Sequence, residues 1–248
     1  MLVDKPAGPS SFAIVSEQRE RTGARAGHAG TLDPFATGLL LVLLGSATRL
    51  AQFLVGLDKR YLTDVDLSAR TTTGDLEGEV VTDAEPPSAA ELETRLSELN
   101  GDIELPIPAV SAVKIGGVRA YRLARRGVAV EMPIRRSTVF ELSLLAYQDG
   151  VARLDLRVSS GTYVRAIADT LGGHCRSLRR LEVGPFTVDD ADPERILPAA
   201  EALPFLPLRT VEAEEAAAIR HGRTRVAEVE RVVHDGELVA VDGVVMPA

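Results

Sequence analysis

The apolar run at residues 39–44, set between Gly38 and Gly45, is the feature that most limits how this chain can fold. Six consecutive apolar residues with flanking glycines favour a buried strand over a helix. This is the longest apolar run in the 248 residues, so we expect no membrane-spanning helix, which needs about 18 or more apolar residues. With 45% hydrophobic residues overall, the chain can bury a sizeable core, and disorder is not expected.

Patterns on either side of this run predict further strands and a connecting loop. Residues 61–68 and 151–159 alternate apolar and polar side chains, which predicts half-buried strands. The glycine-rich residues 24–34 predict a loop. The order of elements indicates a mixed α/β domain.

Helices are predicted between these strands. Ser10 and Ser11 follow a proline and precede an apolar stretch, so they are expected to cap a helix that ends near Gly23. A serine and leucines at helical spacing predict a second helix over residues 88–100, and residues 162–171 predict a third.

The proline-spaced residues 193–207 are expected to end the main domain, which we assign to residues 1–200. Residues 206–248 then form a small C-terminal module, too short for a large core of its own. Its expected elements are a helix at residues 212–221 and strands near residues 225–233 and 237–241.

The chain has one cysteine, Cys175, and four histidines. A single cysteine excludes an intrachain disulfide and a cysteine-rich zinc site, and it is consistent with a reducing cytoplasm. No His-Glu-x-x-His pattern occurs, so we expect no metal centre. The first residues lack the basic start and long apolar segment of a secretory signal, and we expect a cytoplasmic protein.

The net charge of −8 disfavours nucleic acid as a partner if it is taken globally, but the charge is unevenly distributed. Residues 111–137, here called the cationic segment, contain seven Lys and Arg residues and one acid, a local charge of +6. Residues 182–248 carry −8. An acidic protein can therefore present a cationic face to an anionic partner. For an isolated cluster, a solvated basic helix without a ligand is the alternative.

Residues 27–38, Gly-His-Ala-Gly-Thr-Leu-Asp-Pro-Phe-Ala-Thr-Gly, form the most informative segment. Glycines let the backbone turn tightly and approach a ligand, so this loop can hold Asp33 toward a substrate. Asp-Pro also commonly starts turns, and that purely structural role is the alternative. The segment matches neither the Gly-Lys-Ser/Thr phosphate loop nor the Gly-x-Gly-x-x-Gly dinucleotide pattern, which disfavours an unrelated nucleotide-binding α/β enzyme.

Residues 27–38 resemble the signature loop of TruB-family pseudouridine synthases, G-H-x-G-T-L-D-P-x-A-x-G, at every specified position. Five further segments resemble family motifs and follow in the family's order, so that the likeness covers residues 2–190. They are Asp-Lys-Pro-Ala-Gly at 4–8, Lys-Arg-Tyr at 59–61, the Arg-Thr-x-Thr-x-Asp-x-x-Gly turn at 70–78, Ser-Ala-Val-Lys at 111–114 with residues 121–127, and Gly-Thr-Tyr-Val-Arg at 161–165 with Leu-Arg-Arg-Leu at 178–181. Departures at Ser10, Ser68 and residues 158–160 bear on substrate contacts and not on the chemistry.

The resemblance implies a pseudouridine synthase fold, an α+β (mixed α/β) domain with a central mixed, largely antiparallel sheet flanked by helices. Members typically carry a PUA-type RNA-binding module after it, so residues 206–248 are expected to be a shortened PUA-like module. The implied reaction is isomerisation of the T-loop uridine (uridine-55) of tRNA to pseudouridine, without metal or external cofactor. A monomer that binds the T-arm stem-loop and needs no protein partner is expected.

The resemblance also assigns the catalytic residues. Asp33 is implied as the nucleophile, attacking either C6 of the uracil or C1′ of the ribose, a choice that the sequence leaves open. Arg165 would direct Asp33, because a neighbouring guanidinium favours an ionised carboxylate. Tyr61 would stack on the target uracil or lie near the proton being moved. A buried strand tyrosine is the alternative for Tyr61.

The remaining assignments concern substrate binding. The target base is folded into the T-loop and must be flipped out to react. His28 is implied to fill the vacated space, Lys5 to order the catalytic loop, and Leu181 to line the apolar wall of the pocket. The cationic segment is implied to be a mobile insertion that clasps the T-loop. The other residues expected to contact RNA are Tyr163, Lys114, Tyr121, Arg122, Arg125 and Arg126, with Arg176, Arg179 and Arg180 nearby as further cations.

Two alternatives stay within the same family. One is a tRNA-binding and tRNA-folding protein with a silent site, which the presence of Asp33, Tyr61 and Arg165 disfavours. The other is a synthase directed at another RNA, as in relatives that work with guide RNA. The short tail and the lack of charged terminal extensions disfavour that second alternative.

Overall fold

The computed structural model describes residues 1–128, 130–226 and 230–246, and these ranges hold a large sheet, a C-terminal sheet and six α-helices. The strands are β1 (Leu2–Lys5), β2 (Ala26–His28), β3 (Thr37–Leu44), β4 (Lys59–Asp66), β5 (Ala69–Thr71), β6 (Val80–Asp83), β7 (Gly101–Pro106), β8 (Lys114–Ile115), β9 (Val118–Arg119), β10 (Ile134–Gln148), β11 (Val151–Val158), β12 (His174–Val183), β13 (Phe186–Thr187), β14 (Leu208–Thr210), β15 (Arg231–His234), β16 (Glu237–Val241) and β17 (Val244–Val245). The helices are α1 (Ser11–Thr22), α2 (Ala51–Val55), α3 (Ala89–Ser97), α4 (Ala120–Ala124), α5 (Val164–Thr170) and α6 (Ala213–Arg220).

The large sheet has the order β1-β3-β12-β4-β11-β10-β7, with β2 paired to β3 and β13 paired to β12. Its neighbouring strands are antiparallel except for β3 and β12, which run parallel. The expected central mixed, largely antiparallel sheet is therefore confirmed. The longest helix in the described ranges, α1, has twelve residues, and none there has the length and hydropathy of a membrane span.

Strand β3, which contains the continuous apolar run, is buried on both faces. Leu39, Leu41 and Leu43 pack on one face into a core shared with the C-terminal sheet, whereas Leu40 and Val42 pack against α1 on the other. Successive side chains of a strand point to opposite faces, so a continuous apolar run suits a strand that is covered on both sides. The predicted buried strand is confirmed.

Helix α1 follows the prediction at both ends. The Ser10 hydroxyl accepts the Ala13 N–H at 3.1 Å and caps the helix. Gly23 ends it with a φ of 65°, a left-handed conformation that glycine adopts without strain. The predicted helices at residues 88–100 and 162–171 correspond to the shorter helices α3 and α5.

The half-buried strands predicted at residues 61–68 and 151–159 correspond to β4 and β11. Their side chains alternate between the core and a partly exposed face, as the sequence pattern indicates. The two strands pair antiparallel with each other at the centre of the sheet.

The C-terminal strands form a separate sheet, β14-β15-β16-β17, against which α6 packs. The predicted helix at residues 212–221 and strand at residues 237–241 are confirmed. The strand expected near residues 225–233 begins only at Arg231, and residues 227–229 of that prediction lie outside the described residues.

This C-terminal sheet also packs against the large sheet. Val233, Leu238 and Val241 belong to the same hydrophobic cluster as Leu39 and Leu41 of β3. The two sheets therefore share apolar surface. A domain division at residues 200 and 206 and a PUA-like character remain predictions.

Local sequence patterns did not reveal every strand. The loop prediction for residues 24–34 is wrong at residues 26–28, because β2 pairs there with the end of β3. Strand β12 is rich in arginine and has two register shifts against β4. Its sequence therefore does not show the regular alternation of apolar and polar residues that predicts a strand. Residues 134–137, expected within the mobile insertion, belong to β10 and pair with β7.

Candidate active site

A pocket opens between residues 30–33, strands β4 and β12, and the start of α5. Its lining includes Asp33, Tyr61, Tyr163 and Arg165. The fold thus brings into one cavity side chains from several of the motifs that lie far apart in the sequence.

Asp33 and Arg165 form a two-point ion pair in this pocket. Arg165 Nε donates to Asp33 Oδ2 at 2.9 Å, and Nη2 donates to Oδ1 at 3.2 Å. The Arg165 side chain is 2% exposed and that of Asp33 is 33% exposed, so the guanidinium is enclosed while the carboxylate faces the pocket. A planar fork of this kind fixes the direction of a carboxylate.

Arg165 has further partners that hold it in place. Its Nη1 donates to the Thr73 carbonyl at 2.6 Å, and its Nη2 donates to the Val110 carbonyl at 2.9 Å. The Asp75 carboxylate lies 3.5 Å from Nη1 and is almost completely buried. Asp75 lies in the motif at residues 70–78, but the sequence alone indicates no role for it, because only the folded chain brings this turn against α5.

Tyr61 lies on the core face of β4, opposite Leu156 of β11 and Arg180 of β12. It is 8% exposed, belongs to the main hydrophobic cluster and lines the pocket. Core packing and a surface for a base are therefore compatible roles for the same side chain.

Buried polar side chains hold the loop on both sides of Asp33. The Ser11 hydroxyl donates to the Leu32 carbonyl at 2.9 Å and accepts the Leu32 N–H at 2.8 Å. Lys5 Nζ donates to the Pro34 carbonyl at 3.1 Å. Burial lowers the pKa of Lys5, an effect that the negative charge of Asp33 opposes. These contacts are consistent with an ordering role for Lys5, and they add Ser11, which sequence reasoning used only as a helix cap.

Arg180 forms hydrogen bonds to backbone carbonyls on both sides of the same loop. Its Nε donates to the Leu39 carbonyl at 2.7 Å and its Nη2 to the Gly30 carbonyl at 3.0 Å. Arg180 is 1% exposed and lines the pocket wall, so its charge lies inside the fold, and its expected place near the RNA remains a prediction. Strand alternation explains this placement, because β12 turns Arg180 inward while the adjacent Arg179 pairs with Asp4 at 2.7 Å on the other face.

Gly38, at the end of the signature loop, allows β3 to approach β12 at Arg180. Its φ is 102°, and a Cβ at this position would overlap the Arg180 backbone. Glycine has no Cβ and adopts positive φ readily, so it fits where other residues do not.

Lys59 is a third buried cation in the pocket wall, after Arg165 and Arg180. Its Nζ donates to the Val55 carbonyl at 2.7 Å and to Ser160 Oγ at 3.2 Å. Burial lowers the pKa of Lys59 to about 8, and the charge of Arg180 adds to that effect. Lys59 lies in the Lys-Arg-Tyr motif at residues 59–61, and the sequence alone indicates no role for it.

Leu178, and not Leu181, supplies the apolar wall from β12. Leu178 pairs with Thr63 and points to the same side as Arg180, two residues further along the strand. Leu181 follows Arg180 directly and lies at a register shift between Arg180 and Glu182, so it is turned away from the pocket. The assignment of Leu181 to the pocket wall is therefore wrong.

His28 lies in β2 opposite Val42 and is not among the lining residues. Burial lowers the pKa of His28, and the charge of Arg180 lowers it further. Its Nδ1 is buried without a hydrogen-bond partner among the described residues. The structure does not bring His28 to Asp33, and a role in filling the space left by flipped bases remains a prediction.

The cationic segment begins at the pocket rim and then leaves it. In α4, the guanidinium carbons of Arg122 and Arg125 lie 5.9 and 5.8 Å from the centre of the Tyr121 ring. Arg122, Arg125, Arg126 and Lys114 lie outside the pocket lining. The described part of the segment forms a short hairpin, a five-residue helix and the start of β10. Whether these cations contact RNA or are only solvated remains a prediction.

Other reactive groups lie outside this arrangement. Cys175 is completely buried, and burial raises the pKa of its thiol to about 12. In the described ranges, no group of three or more His, Cys, Asp and Glu side chains is arranged to hold a metal ion.

The chain matches a family model for the TruB family pseudouridylate synthase, N-terminal domain, over residues 18–164. It is also 42% identical to the tRNA pseudouridine synthase B of Leifsonia xyli subsp. xyli over 244 residues, 92% of this chain and 78% of that protein. The chain belongs to the TruB family. A further TruB-family relative, tRNA pseudouridine synthase B of Thermobifida fusca, is 41% identical over 247 residues, 90% of this chain and 84% of that protein.

Solved structures share the TruB-family fold. A chain of the Cbf5-Nop10-Gar1 complex superimposes with a TM-score of 0.69 at 24% identity, covering 96% of this chain and 76% of that chain. A chain of the archaeal box H/ACA sRNP Nop10-Cbf5 complex gives a TM-score of 0.67 at 22% identity, covering 100% of this chain and 79% of that chain. The pseudouridine synthase fold is thereby confirmed.

Proposed function

We propose that this TruB-family chain converts uridine-55 in the T-loop of tRNA to pseudouridine. The observation that carries the proposal is the enclosed Arg165 guanidinium, which aims the Asp33 carboxylate into a pocket lined by Tyr61. The shared name of the relatives, tRNA pseudouridine synthase B, supports both the reaction and the substrate class.

The reaction is an isomerisation, so its atoms balance within one nucleotide. The C1′–N1 bond of uridine breaks, a C1′–C5 bond forms, C5 loses a proton and N1 gains one. Asp33 divides this exchange into easier steps by forming a covalent bond either to C6 of the uracil or to C1′ of the ribose. Arg165 orients the carboxylate for that attack.

The rest of the pocket suits a flipped uracil. The Tyr61 ring offers a flat surface on which the base can stack, and Leu178 adds an apolar wall. The Tyr61 hydroxyl is the group we assign to the proton at C5. Lys59, Arg165 and Arg180 place buried positive charge around Asp33, which stabilises negative charge on the uracil while the glycosidic bond is broken.

RNA outside the pocket is held by the part of the cationic segment in and around α4. The whole chain carries −8 while this segment carries +6, so most of the remaining surface repels an anionic RNA. The Tyr121 ring flanked by two guanidiniums suits stacked, looped nucleotides. We assign Lys114, Tyr121, Arg122, Arg125 and Arg126 to contacts with the T-arm.

We further propose that residues 206–248 act as a shortened PUA-like RNA-binding module. The separate four-stranded sheet and its own small core around Val232 and Ile219 support a module, and its packing on β3 ties it to the catalytic half. The protein is proposed to act in the cytoplasm as a monomer without a protein partner.

The test is to incubate the purified protein alone with unmodified tRNA transcripts and to map pseudouridine by position. We expect modification at the T-loop uridine and at no other uridine, without added metal beyond what folds the tRNA. Modification at another position would assign the site to a different substrate. Bound tRNA with no modification would favour a folding protein with a silent site.

A further inference from the structure

Two neighbouring arginines on β10 differ in their partners. Arg136 Nε donates to Glu104 Oε1 on β7 at 2.7 Å, so its charge is paired. Arg135 makes no ion pair and no side-chain hydrogen bond with any residue in ranges 1–128, 130–226 and 230–246. A guanidinium with all its N–H donors unused is available to an anion from outside the chain.

The Arg135 guanidinium lies against the rim of the active-site pocket. It covers Gly161, where an added Cβ would overlap its atoms. Gly161 has a φ of 81° and lines the same pocket as Asp33. Burial raises the pKa of the Tyr163 phenol, and the nearby positive charge of Arg135 partly opposes that shift.

Ser111 adds a buried hydroxyl without a partner at this rim. The residue is 7% exposed and lines the pocket, and its Oγ has no hydrogen-bond partner among the described residues. It lies close enough to Tyr163 to favour the ionised phenol, although the geometry falls short of a hydrogen bond. A buried unsatisfied hydroxyl costs free energy, so we expect a bound ligand to supply its partner.

We propose that Arg135, Ser111 and Tyr163 form a subsite for one phosphodiester of the RNA strand that enters the pocket. A phosphodiester is an anion with two unbridged oxygens, which suit a guanidinium fork and two hydroxyl donors. The subsite rests on the proposed function, because it requires a flipped nucleotide whose phosphates lie at the pocket rim. The phosphate on the 5′ side and the phosphate on the 3′ side of the target uridine have the same chemistry.

The first measurement compares Arg135→Gln with Arg136→Gln. Each variant removes one charge from the same strand, and Arg136 is the matched control because its charge is already paired. Affinity for a T-arm stem-loop RNA is measured in an Asp33→Asn background, so that binding is read without turnover.

We expect Arg135→Gln to weaken binding about tenfold or more. It should also flatten the log–log salt dependence by about 0.7. Arg136→Gln should change affinity by less than about twofold. Equal losses in the two variants would indicate a general charge effect and would overturn the subsite.

Ser111→Ala separates a ligand contact from a structural role. Because the Ser111 hydroxyl has no partner within the described chain, its removal should not lower the melting temperature. RNA affinity should fall by about threefold to tenfold. A lower melting temperature with unchanged affinity would assign the hydroxyl to the fold and contradict the subsite.

Uncharged analogues of the phosphodiester identify which of the two phosphates is bound. A methylphosphonate is placed on the 5′ side or the 3′ side of the target uridine, and each RNA is titrated with the parent protein and with Arg135→Gln. At the phosphate that Arg135 contacts, the losses of affinity caused by the methylphosphonate and by Arg135→Gln should be far from additive, because both remove the same contact. If the two losses are additive at both positions while the parent protein still binds and modifies the unsubstituted RNA, the subsite is overturned and the proposed function stands. An RNA that is neither bound nor modified overturns the proposed function and the subsite with it.

Discussion

The Arg165 guanidinium holds the Asp33 carboxylate at two points, with Nε–Oδ2 at 2.9 Å and Nη2–Oδ1 at 3.2 Å. Its other N–H groups donate to the Thr73 and Val110 carbonyls, so the guanidinium cannot turn without losing partners. Because Arg165 belongs to α5 and is 2% exposed, the direction of the carboxylate is set by the core of the domain and not by the loop alone.

Arg165→Lys is expected to lower the single-turnover rate on saturating RNA by about a hundredfold or more. An ammonium is a point charge on a flexible stem and cannot reach both carboxylate oxygens and the two carbonyls together. Arg70→Lys is a matched control, since Arg70 makes a comparable two-point pair with Asp169 that is half exposed and outside the pocket. A near-normal rate for Arg165→Lys would show that the fork does not direct the nucleophile.

Ser11→Ala is expected to lower both stability and turnover. It leaves the Leu32 N–H and carbonyl without their partner, at a cost of about 1–3 kcal/mol in the free energy of unfolding. It also frees the residue next to Asp33, so turnover on saturating RNA should fall at temperatures where the protein stays folded.

Ser10→Ala is the control for that measurement. The Ser10 hydroxyl caps α1 from the exposed side of the helix, away from the catalytic loop, so its loss should cost about 1 kcal/mol of stability. Turnover should stay close to that of the parent protein. If both variants lost turnover in proportion to stability, Ser11 would be a fold residue and not a positioning residue.

The sequence predicted the elements whose patterns are local. The apolar run of β3, the alternation of β4 and the capped ends of α1 each lie within one stretch of chain, so they could be read directly. The position of β12 could not, because Arg180 is buried there through bonds to carbonyls that lie far away in the sequence. When arginine occupies an inward-facing position, the strand's sequence looks like that of an exposed strand.

In the candidate site, too, sequence motifs identified some residues, whereas others depend on contacts between distant parts of the chain. Family motifs pointed to Asp33, Tyr61 and Arg165, and the structure brings all three to one pocket. The choice between Leu178 and Leu181 needed the strand register, which motif spacing does not give. The contact of Asp75 with Arg165 likewise depends on how a turn packs on a helix.

Lys59 should make stability depend on pH in the alkaline range. Burial lowers its pKa to about 8 in the folded protein, against an ordinary value of 10.5 in the unfolded chain. Between these two values the unfolded state binds more protons, so the free energy of unfolding rises with pH; below pH 8 both states are protonated and the burial penalty is present in full.

Lys59→Met should therefore show a smaller rise in stability than the parent protein between pH 8 and 10.5 in urea unfolding. Lys114→Met, which removes an exposed lysine, should leave the slope unchanged. An identical slope in the parent protein and Lys59→Met would mean that Lys59 is not held as a buried ammonium.

The cationic segment should dominate the salt dependence of RNA binding. Changing Arg122, Arg125 and Arg126 together to Gln should weaken affinity and flatten the log–log slope by up to about 2. Turnover on saturating RNA should suffer less, because these side chains lie outside the pocket and do not touch the reacting atoms.

Three exposed arginines outside the segment provide the control for this charge change. Their joint replacement by Gln should leave most of the slope in place. An unchanged slope in the segment variant would remove the segment from the RNA interface. The control residues are Arg19, Arg25 and Arg195.

The most direct test of the Asp33 assignment is the single-turnover conversion of a tRNA transcript by Asp33→Asn, measured beside its affinity for the same RNA. The amide keeps the shape of the side chain and removes the nucleophile. Pseudouridine should not form, while affinity stays within about tenfold of the parent protein. Pseudouridine formed at a rate comparable to that of the parent protein would contradict the assignment of Asp33 as the nucleophile.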